Sequence, residues 1–277
     1  MRNPLIVTDL DGTLFTSEKK VSPSSADAIN RFVAGGGLFT VATARMAHGA
    51  AGRLRQLDLR VPGIVMNGAG IYDFGTQRYI SSFTIPKTAV AEVIGAVRAA
   101  RAGAFIYSLA DGELRIGYLR DEDLAFTQYN SDAAHAAGVP FTQLDRTSTA
   151  FDGDVVYVAV VGTTDDLVSI GAACDEIDGA KAIRYENVYT STTCLEIASE
   201  DAGKENALRV LQRTIACDGL LVFGDNDNDL GMMALADISF APNSATASAL
   251  AAADVIVESH DDDGVARELT RRFPAST

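Results

Sequence analysis

Two aspartates stand close together near the start of the chain, in the segment Asp9-Leu10-Asp11-Gly12-Thr13. In an extended segment, residues i and i+2 point to the same side, so both carboxylates face the same space. Two close carboxylates repel each other, which favours a bound cation or a shared proton. One carboxylate can then act as a nucleophile while the other, protonated, acts as a general acid. The alternative is a helix N-cap or a turn, but the apolar strand before the pair and the Gly-Thr after it favour the chemical interpretation.

A second acidic segment, from Gly224 to Asp229, follows another apolar run. Its Asp-x-Asp-x-Asp spacing is similar to the start of an EF-hand calcium loop, which needs Gly at the sixth position and Glu at the twelfth. Those positions hold Leu230 and Ala236, so an EF-hand is excluded. The aspartates remain candidates for ligands of a hard cation such as Mg²⁺, which prefers oxygen.

Polar residues follow four predicted strands, at the point where each strand ends. These residues are Asp9, Thr43, Asn67 and Asp225. In open parallel sheets, the carboxyl ends of the strands form the ligand crevice. We therefore expect these four residues, far apart in the sequence, to meet in one site.

The elements that must position them alternate between short apolar runs and amphipathic helices at both ends of the chain. The predicted strands are 5–8, 38–42, 63–66, 220–223, 238–241 and 255–257. A helix begins after Ser22, a good N-cap, with Pro23 at its first position, and Gly35 ends it. A second amphipathic helix is predicted at 204–215. This alternation predicts an α/β fold with a mostly parallel sheet and helices on both faces.

The middle of the chain has a different pattern, with a helix, several longer strands and a second helix. We expect an α+β domain at 84–188, inserted between 1–83 and 189–277, which together form the parallel-sheet core domain. An insertion at this point is expected to act as a mobile cap.

The motifs together resemble the haloacid dehalogenase-like hydrolase superfamily, and in particular its Cof-type branch with a large C2-type cap. Asp9 to Thr13 is similar to the first motif, and the strand ending in Thr43-Ala44-Arg45 is similar to the second. Lys204 begins the helix where the family places a phosphate-neutralising lysine, and Gly224 to Asp229 resembles the metal-binding motif. The resemblance covers roughly the first 83 and the last 80 residues and implies a Rossmann-like core.

This resemblance implies a role for each matching residue. Asp9 would be the nucleophile, Asp11 the general acid and base, and Lys204 the third catalytic residue. The expected phosphate-binding groups are Leu10, Thr43, Ala44, Lys204 and Asn228. The expected Mg²⁺ ligands are Asp9, Asp11 through its backbone carbonyl, Asp225 and Asp229. A phosphoryl group in transfer spreads negative charge over its oxygens, so positioning and charge neutralisation are the main catalytic needs.

The sequence departs from the family pattern at two positions. Glu205 follows the lysine where the branch usually has Gly, and Ala44 stands where Gly is common. Neither change removes a reacting group, and we expect the Glu205 side chain to point to solvent. For Arg45, an ion pair at the surface is as good an explanation as a role in the site. For Asn67, an Asn-Gly turn is as good an explanation as a role in the site.

Composition limits the partners. The net charge is −14 over 277 residues, which opposes binding to nucleic acid. No apolar run approaches the roughly 18 residues of a membrane span, and no apolar signal-peptide core follows the N-terminus. The three cysteines form no metal-ligand spacing. We expect a cytoplasmic monomer or homodimer whose partner is a small phosphorylated metabolite.

The motifs therefore predict a Mg²⁺-dependent phosphatase that acts on a sugar phosphate or related phosphomonoester through an aspartyl-phosphate. Two alternatives remain: a phosphosugar mutase of the same superfamily, and a non-catalytic module that binds a phosphorylated metabolite.

Overall fold

The computed structural model describes residues 3–121, 123, 138–145, 151, 153–187 and 192–274. The strands are β1 Leu5–Thr8, β2 Leu38–Val41, β3 Gly63–Val65, β4 Gly70–Asp73, β5 Arg78–Ser82, β6 Gly103–Ala110, β7 Glu113–Tyr118, β8 Phe141–Gln143, β9 Asp154–Val161, β10 Ala180–Asn187, β11 Thr192–Ser199, β12 Leu220–Phe223, β13 Ile238–Pro242 and β14 Val255–Val257. The helices are α1 Pro23–Ala34, α2 Ala47–Leu54, α3 Lys87–Ala99, α4 Thr164–Cys174, α5 Lys204–Gln212, α6 Leu230–Met233, α7 Ala247–Ala252 and α8 Gly264–Arg272. The described chain divides into two compact units, Met1–Ile80 with Gly203–Thr277 and Ser81–Ala202.

The first unit contains a five-stranded sheet in the order β14-β13-β12-β1-β2. Every neighbouring pair in it is parallel. After β1 the chain continues to β2 on one side, and it returns much later to β12 on the other side of β1. The strand order therefore reverses between β1 and β12, and a ligand crevice is expected at the carboxyl ends of such a pair. The predicted α/β class with a parallel-sheet core is confirmed.

Apolar side chains on both sides of the sheet explain why these short runs become strands. All four residues of β1 and all four of β12 are buried. On one face, Ile29 and Val33 of α1 and Leu269 of α8 belong to the same core cluster as strand residues. Helix α1 begins as expected, because the Ser22 side chain accepts a hydrogen bond from the Ser25 N–H and Pro23 is the first residue. These contacts hold the ends of β1 and β12 in fixed places.

A smaller sheet in the same unit has the order β3-β4-β5. A single parallel bridge between Ala42 and Ile64 links the end of β2 to β3. The loops that follow β2 and β3 are therefore neighbours. Strands β4 and β5 are neighbours in this sheet and are joined by the short segment 74–77.

The second unit is built on a six-stranded sheet in the order β10-β11-β9-β6-β7-β8. Its pairs are antiparallel except for β7 with β8. Apolar residues of α3 and α4 share a core cluster with alternate residues of the strands, for example Val93, Ile170 and Ile197. This is the sheet-rich α+β architecture expected for the middle of the chain.

The two limits of the second unit differ from the expected 84–188. The unit extends to Ala202 because β11 pairs with β9 and β10. Leu195 and Ile197 of β11 pack in the core of the second unit. No strand is predicted at 192–199, and the sheet that receives β11 depends on pairing with distant residues.

Candidate active site

Asp9 and Asp225 lie beside each other where the strand order of the parallel sheet reverses. Asp9 directly follows β1, and its N–H donates to the carbonyl of Phe223, the last residue of β12, at 2.9 Å. The Thr13 hydroxyl donates to Asp225 Oδ1 at 2.8 Å. Gly12 allows this approach, because its φ is +88° and a Cβ built there would lie 2.4 Å from Asp225 Oδ2. The turn after β1 therefore needs glycine both for its backbone conformation and for space.

Lys204 joins two of the site's carboxylates. It is the first residue of α5, and its Nζ donates to Asp9 Oδ1 at 2.6 Å and to Asp229 Oδ1 at 2.7 Å. Its side chain is only 1% exposed. Burial alone would lower the pKa of Lys204, but the two carboxylates outweigh it and raise the pKa above its ordinary value. Lys204 is therefore a buried cation at neutral pH.

Asp9, Asp225 and Asp229 form a compact group of carboxylates. One oxygen of each lies within 4.8 Å of the others. Burial and the two neighbouring carboxylates raise the pKa of Asp9 well above its usual value, although Lys204 opposes this. Burial likewise raises the pKa of Asp225. The group therefore carries more negative charge than its buried position favours.

A divalent cation fits this group. When all are ionised, three carboxylates and the ammonium of Lys204 carry a net charge of −2. All the available ligand atoms are carboxylate oxygens, which suits a hard cation such as Mg²⁺. Asp229 is held in place because its Oδ2 accepts hydrogen bonds from the N–H groups of Asp225 and Asn226, at 3.0 and 3.1 Å.

The Asp11 carboxylate is not part of that group. Arg45 Nε donates to its Oδ2 and Arg45 Nη2 to its Oδ1, both at 2.6 Å. Lys19 Nζ lies 3.4 Å from Oδ1. Burial raises the pKa of Asp11, but Arg45 and Lys19 outweigh it, so the pKa is lower than usual. In this orientation Asp11 is ionised, whereas a protonated acid was expected from the motif, so proton donation requires a change in this pairing.

The expected phosphate-binding residues line the loops beside these carboxylates. Among the described residues, no acceptor is found for the N–H groups of Leu10 and Ala44. The Thr43 hydroxyl is buried and accepts the Arg45 N–H at 3.1 Å. Asn228 is exposed, and its Nδ2 donates to Asn67 Oδ1 at 2.8 Å. Backbone and side-chain donors are thus present near the carboxylates, as binding of an anion requires.

The site contains four contacts that the sequence motifs do not predict. They involve Thr13 with Asp225, Asn67 with Asn228, and both Arg45 and Lys19 with Asp11. Arg45 does form an ion pair, one of the two explanations considered for it, but its partner belongs to the site. Lys19 stands in a polar loop and gave no sequence signal.

The Asn67-Gly68 turn packs against the residue before Lys204. Asn67 has a φ of +51°, and its N–H donates to the Thr43 carbonyl at 3.0 Å. Gly68 has a φ of +89°, and a Cβ built there would lie 2.1 Å from the Gly203 carbonyl oxygen. This close approach requires glycine and connects the loop after β3 to the start of α5.

Glu205 does not extend freely into solvent. Its side chain is half-buried and lies over two glycines, because a Cβ built on Gly203 or Gly231 would come within 2.5 or 2.8 Å of the Glu205 carboxylate. The expectation of a solvent-directed side chain was therefore wrong. Glycine at positions 203 and 231 makes room for it.

The chain is similar to several known proteins. The sequence model of the haloacid dehalogenase-like hydrolase family matches residues 6–269. The chain is 26% identical to 5-amino-6-(5-phospho-D-ribitylamino)uracil phosphatase of Bacillus subtilis over 276 residues, which cover 94% of this chain and 95% of that protein. It is 22% identical to pyridoxal phosphate phosphatase of Escherichia coli, over 96% of this chain and 97% of that protein.

The fold is also shared with a solved structure. A haloacid dehalogenase-like hydrolase from Bacteroides thetaiotaomicron aligns with a TM-score of 0.79 at 23% identity, covering 98% of this chain and all of that one.

Within the described residues, the structure contains no helix that is both long enough and apolar enough to cross a membrane.

Proposed function

Because the chain belongs to the haloacid dehalogenase-like hydrolases, we propose that it is a Mg²⁺-dependent phosphatase that hydrolyses a small phosphomonoester through a phosphorylated Asp9. The observation that carries this proposal is the buried Lys204 between Asp9 and Asp229. A nucleophilic carboxylate needs a fixed direction and a way to tolerate the approach of an anion. Lys204 supplies both, since its ammonium fixes Asp9 Oδ1 and neutralises part of the local charge.

In the first step, an oxygen of Asp9 attacks phosphorus while the bond between phosphorus and the substrate oxygen breaks. Asp11, after its pairing with Arg45 changes and it takes up a proton, donates that proton to the leaving oxygen. In the second step, water attacks the phosphorus of the aspartyl-phosphate, Asp11 accepts the proton of the water, and the bond between Asp9 and phosphorus breaks. The enzyme ends in its starting state, and inorganic phosphate is released.

The remaining residues hold the phosphate. The N–H groups of Leu10 and Ala44 and the hydroxyl of Thr43 donate to its oxygens, and Asn228 adds an amide from the edge of the site. A Mg²⁺ ion would be held by Asp9, Asp225, Asp229 and the backbone carbonyl of Asp11. When bound, it would offset the negative charge of the carboxylates and of the transferring phosphoryl group. The oxygen-only donor set and the net charge of −2 support this choice of ion.

Two relatives support the substrate class. They are named as phosphatases of a phosphorylated ribityl compound and of pyridoxal phosphate. In both names the substrate is a small organic phosphate. We therefore propose that this chain acts on a small phosphorylated metabolite, such as a sugar phosphate or a related phosphomonoester.

A screen of phosphorylated sugars, sugar alcohols and coenzymes tests the proposal, with phosphate release measured in Mg²⁺ and in EDTA. We expect release from at least one compound in Mg²⁺, loss of release in EDTA, and no release by Asp9→Asn. An isomeric sugar phosphate without free phosphate would identify a mutase instead. Equal release by the wild type and Asp9→Asn over the whole panel would contradict catalysis by this site.

A further inference from the structure

Glu205 carries a half-buried carboxylate that has no partner within the described part of the chain. No hydrogen bond or ion pair joins its side chain to another described residue. Every other carboxylate that is buried or half-buried among these residues accepts at least one hydrogen bond. Asp11, for example, is paired with Arg45, and Asp225 accepts the Thr13 hydroxyl. The exception lies directly after Lys204 in the candidate site.

The Glu205 carboxylate lies at the edge of the loops that are proposed to bind phosphate. Its oxygens lie close to Gly203 and Gly231, because a Cβ built on these residues would be 2.5 and 2.8 Å away. Gly203 is in contact with the Asn67-Gly68 turn, and Gly231 follows Asn228 by three residues, which is about one helical turn. Asn228 donates to the asparagine of that turn at 2.8 Å. The carboxylate is therefore a neighbour of this pair of amides.

The position of Glu205 near the start of α5 gives one structural reason for a negative charge, because helix N-termini favour anions. That reason applies equally to a side chain that extends into solvent, so it does not explain a half-buried one. Acidic side chains that are removed from water are normally paired. Arg209 stands one turn later on the same helix, but it is exposed, and no ion pair joins it to Glu205. A ligand is left as the source of the missing cation.

The charge of the site favours a substrate that brings a positive group. When ionised, the three carboxylates of the metal group and Lys204 carry a net charge of −2, which one Mg²⁺ would cancel. Glu205 then adds one uncompensated negative charge beside the place where an anionic phosphate is proposed to bind. This charge opposes the binding of a phosphate that carries no cation, and it attracts a phosphate that does carry one.

We propose that Glu205 is a specificity-determining residue that pairs with a cationic group of the substrate, so that the site prefers phosphomonoesters that also carry an amine. This inference rests on the proposed phosphatase function and narrows its substrate class. Glu205 takes no part in the transfer of the phosphoryl group.

Pairs of substrates that differ by one charge test this assignment. Each pair consists of an aminoalkyl phosphate and the hydroxyalkyl phosphate of the same length, over a series of chain lengths. The ammonium group stays protonated at neutral pH, as that of lysine does. We expect the wild type to prefer the amino member about fivefold in kcat/KM, the value of a partly exposed ion pair. The preference should be largest at one length, because a phosphate held by the loops brings the ammonium to Glu205 only at that length.

Glu205→Gln keeps the shape of the side chain and removes its charge. The ratio of kcat/KM between the members of the best pair should fall about fivefold. The fall should appear in KM rather than in kcat, because a contact with a distant ammonium is equally strong before and during the reaction. The ratio also removes the general effect of one charge fewer near the phosphate, since both members share it. Glu205→Lys should reverse the preference.

Asp165→Asn is the matched control, since Asp165 is an exposed acidic residue in the first turn of α4. It also removes a negative charge from a helix N-terminus, but it should leave the ratio unchanged. Each compound is in addition measured as a competitive inhibitor of the best substrate in the metabolite panel. A compound that binds without being hydrolysed is then still compared with its partner.

Three results would overturn the inference. The wild type would show no preference for the amino members in rate or in inhibition, Glu205→Gln would affect both members equally, or the preference would persist in Glu205→Gln. The second result would mean that Glu205 acts on the helix or on the total charge, and the third would assign the preference to another residue. A wild type that releases phosphate from no compound would refute the proposed function itself, whereas release without a charge preference would refute only this inference.

Discussion

Replacing Lys204 by methionine removes the ammonium group that donates to Asp9 and Asp229 at 2.6 and 2.7 Å. Methionine keeps a long apolar stem in the same space, so the main change is electrostatic. The exposed fractions of the Lys204 and Asp229 side chains are 1% and 0%, and water therefore has little access to replace the lost donor. Removing one partner of a buried ion pair costs about 3–5 kcal/mol, because the other charge stays buried without compensation. We expect the free energy of unfolding in EDTA to fall by this amount.

Urea denaturation in EDTA and in Mg²⁺ measures the effect. Without Lys204 the net charge of the ionised group changes from −2 to −3, so Mg²⁺ should stabilise the variant more than the wild type. An ion present at 100 times its dissociation constant stabilises the folded state by about 2.7 kcal/mol. The control is Lys87→Met, since Lys87 is an exposed residue at the start of α3. It should change the unfolding free energy by less than about 0.5 kcal/mol in either solution.

An unchanged unfolding free energy of Lys204→Met in EDTA would contradict this expectation. That result would mean that Asp9 and Asp229 do not depend on Lys204 for charge compensation. If Mg²⁺ raised the free energy of unfolding equally in the variant and in the wild type, the net charge of the carboxylate group would not control the binding of the ion.

Two other predictions concern stability and metal binding. The Glu196 carboxylate accepts the Tyr157 hydroxyl, and burial raises the pKa of Glu196 from 4.5 to about 8. The folded state therefore binds the proton more tightly than the unfolded state does. The free energy of unfolding should fall as pH rises from about 4.5 to 8, by at most about 1.4 kcal/mol per pH unit. Glu196→Gln should remove this slope, and parallel pH curves of unfolding free energy for variant and wild type would contradict it. Gly12→Ala should lower Mg²⁺ affinity, measured by calorimetry, and activity about tenfold or more, because its Cβ would displace Asp225. Gly36→Ala is its control, since Gly36 has a similar φ of +91° but no atom within 4 Å of the added Cβ, so it should lower only stability; equal effects of the two variants on Mg²⁺ binding would refute the clash.

The parts of the fold that depend on local pattern were predictable. Continuous apolar runs predicted β1 and β12, and with them the placement of Asp9 and Asp225 at the carboxyl ends of parallel strands. The contact between Asp11 and Arg45 was not predictable, because it depends on the shape of two loops 34 residues apart. The strand β11 and its place in the second sheet were also missed, because its partners β9 and β10 are set by pairing with other parts of the chain. Lys204 was assigned only through the family resemblance, since a lone lysine has no local signal.

If Asp9 is the nucleophile, it becomes phosphorylated during each turnover, and this intermediate can be trapped. Enzyme is mixed in Mg²⁺ with an aryl phosphate that carries a radioactive label on phosphorus. The reaction is quenched in acid, and the protein is digested for peptide mapping. We expect label on the peptide that contains Asp9, more of it in Asp11→Asn because the second step lacks its base, and none in Asp9→Asn. Label on a different residue, or phosphate release by Asp9→Asn at the wild-type rate, would contradict the account.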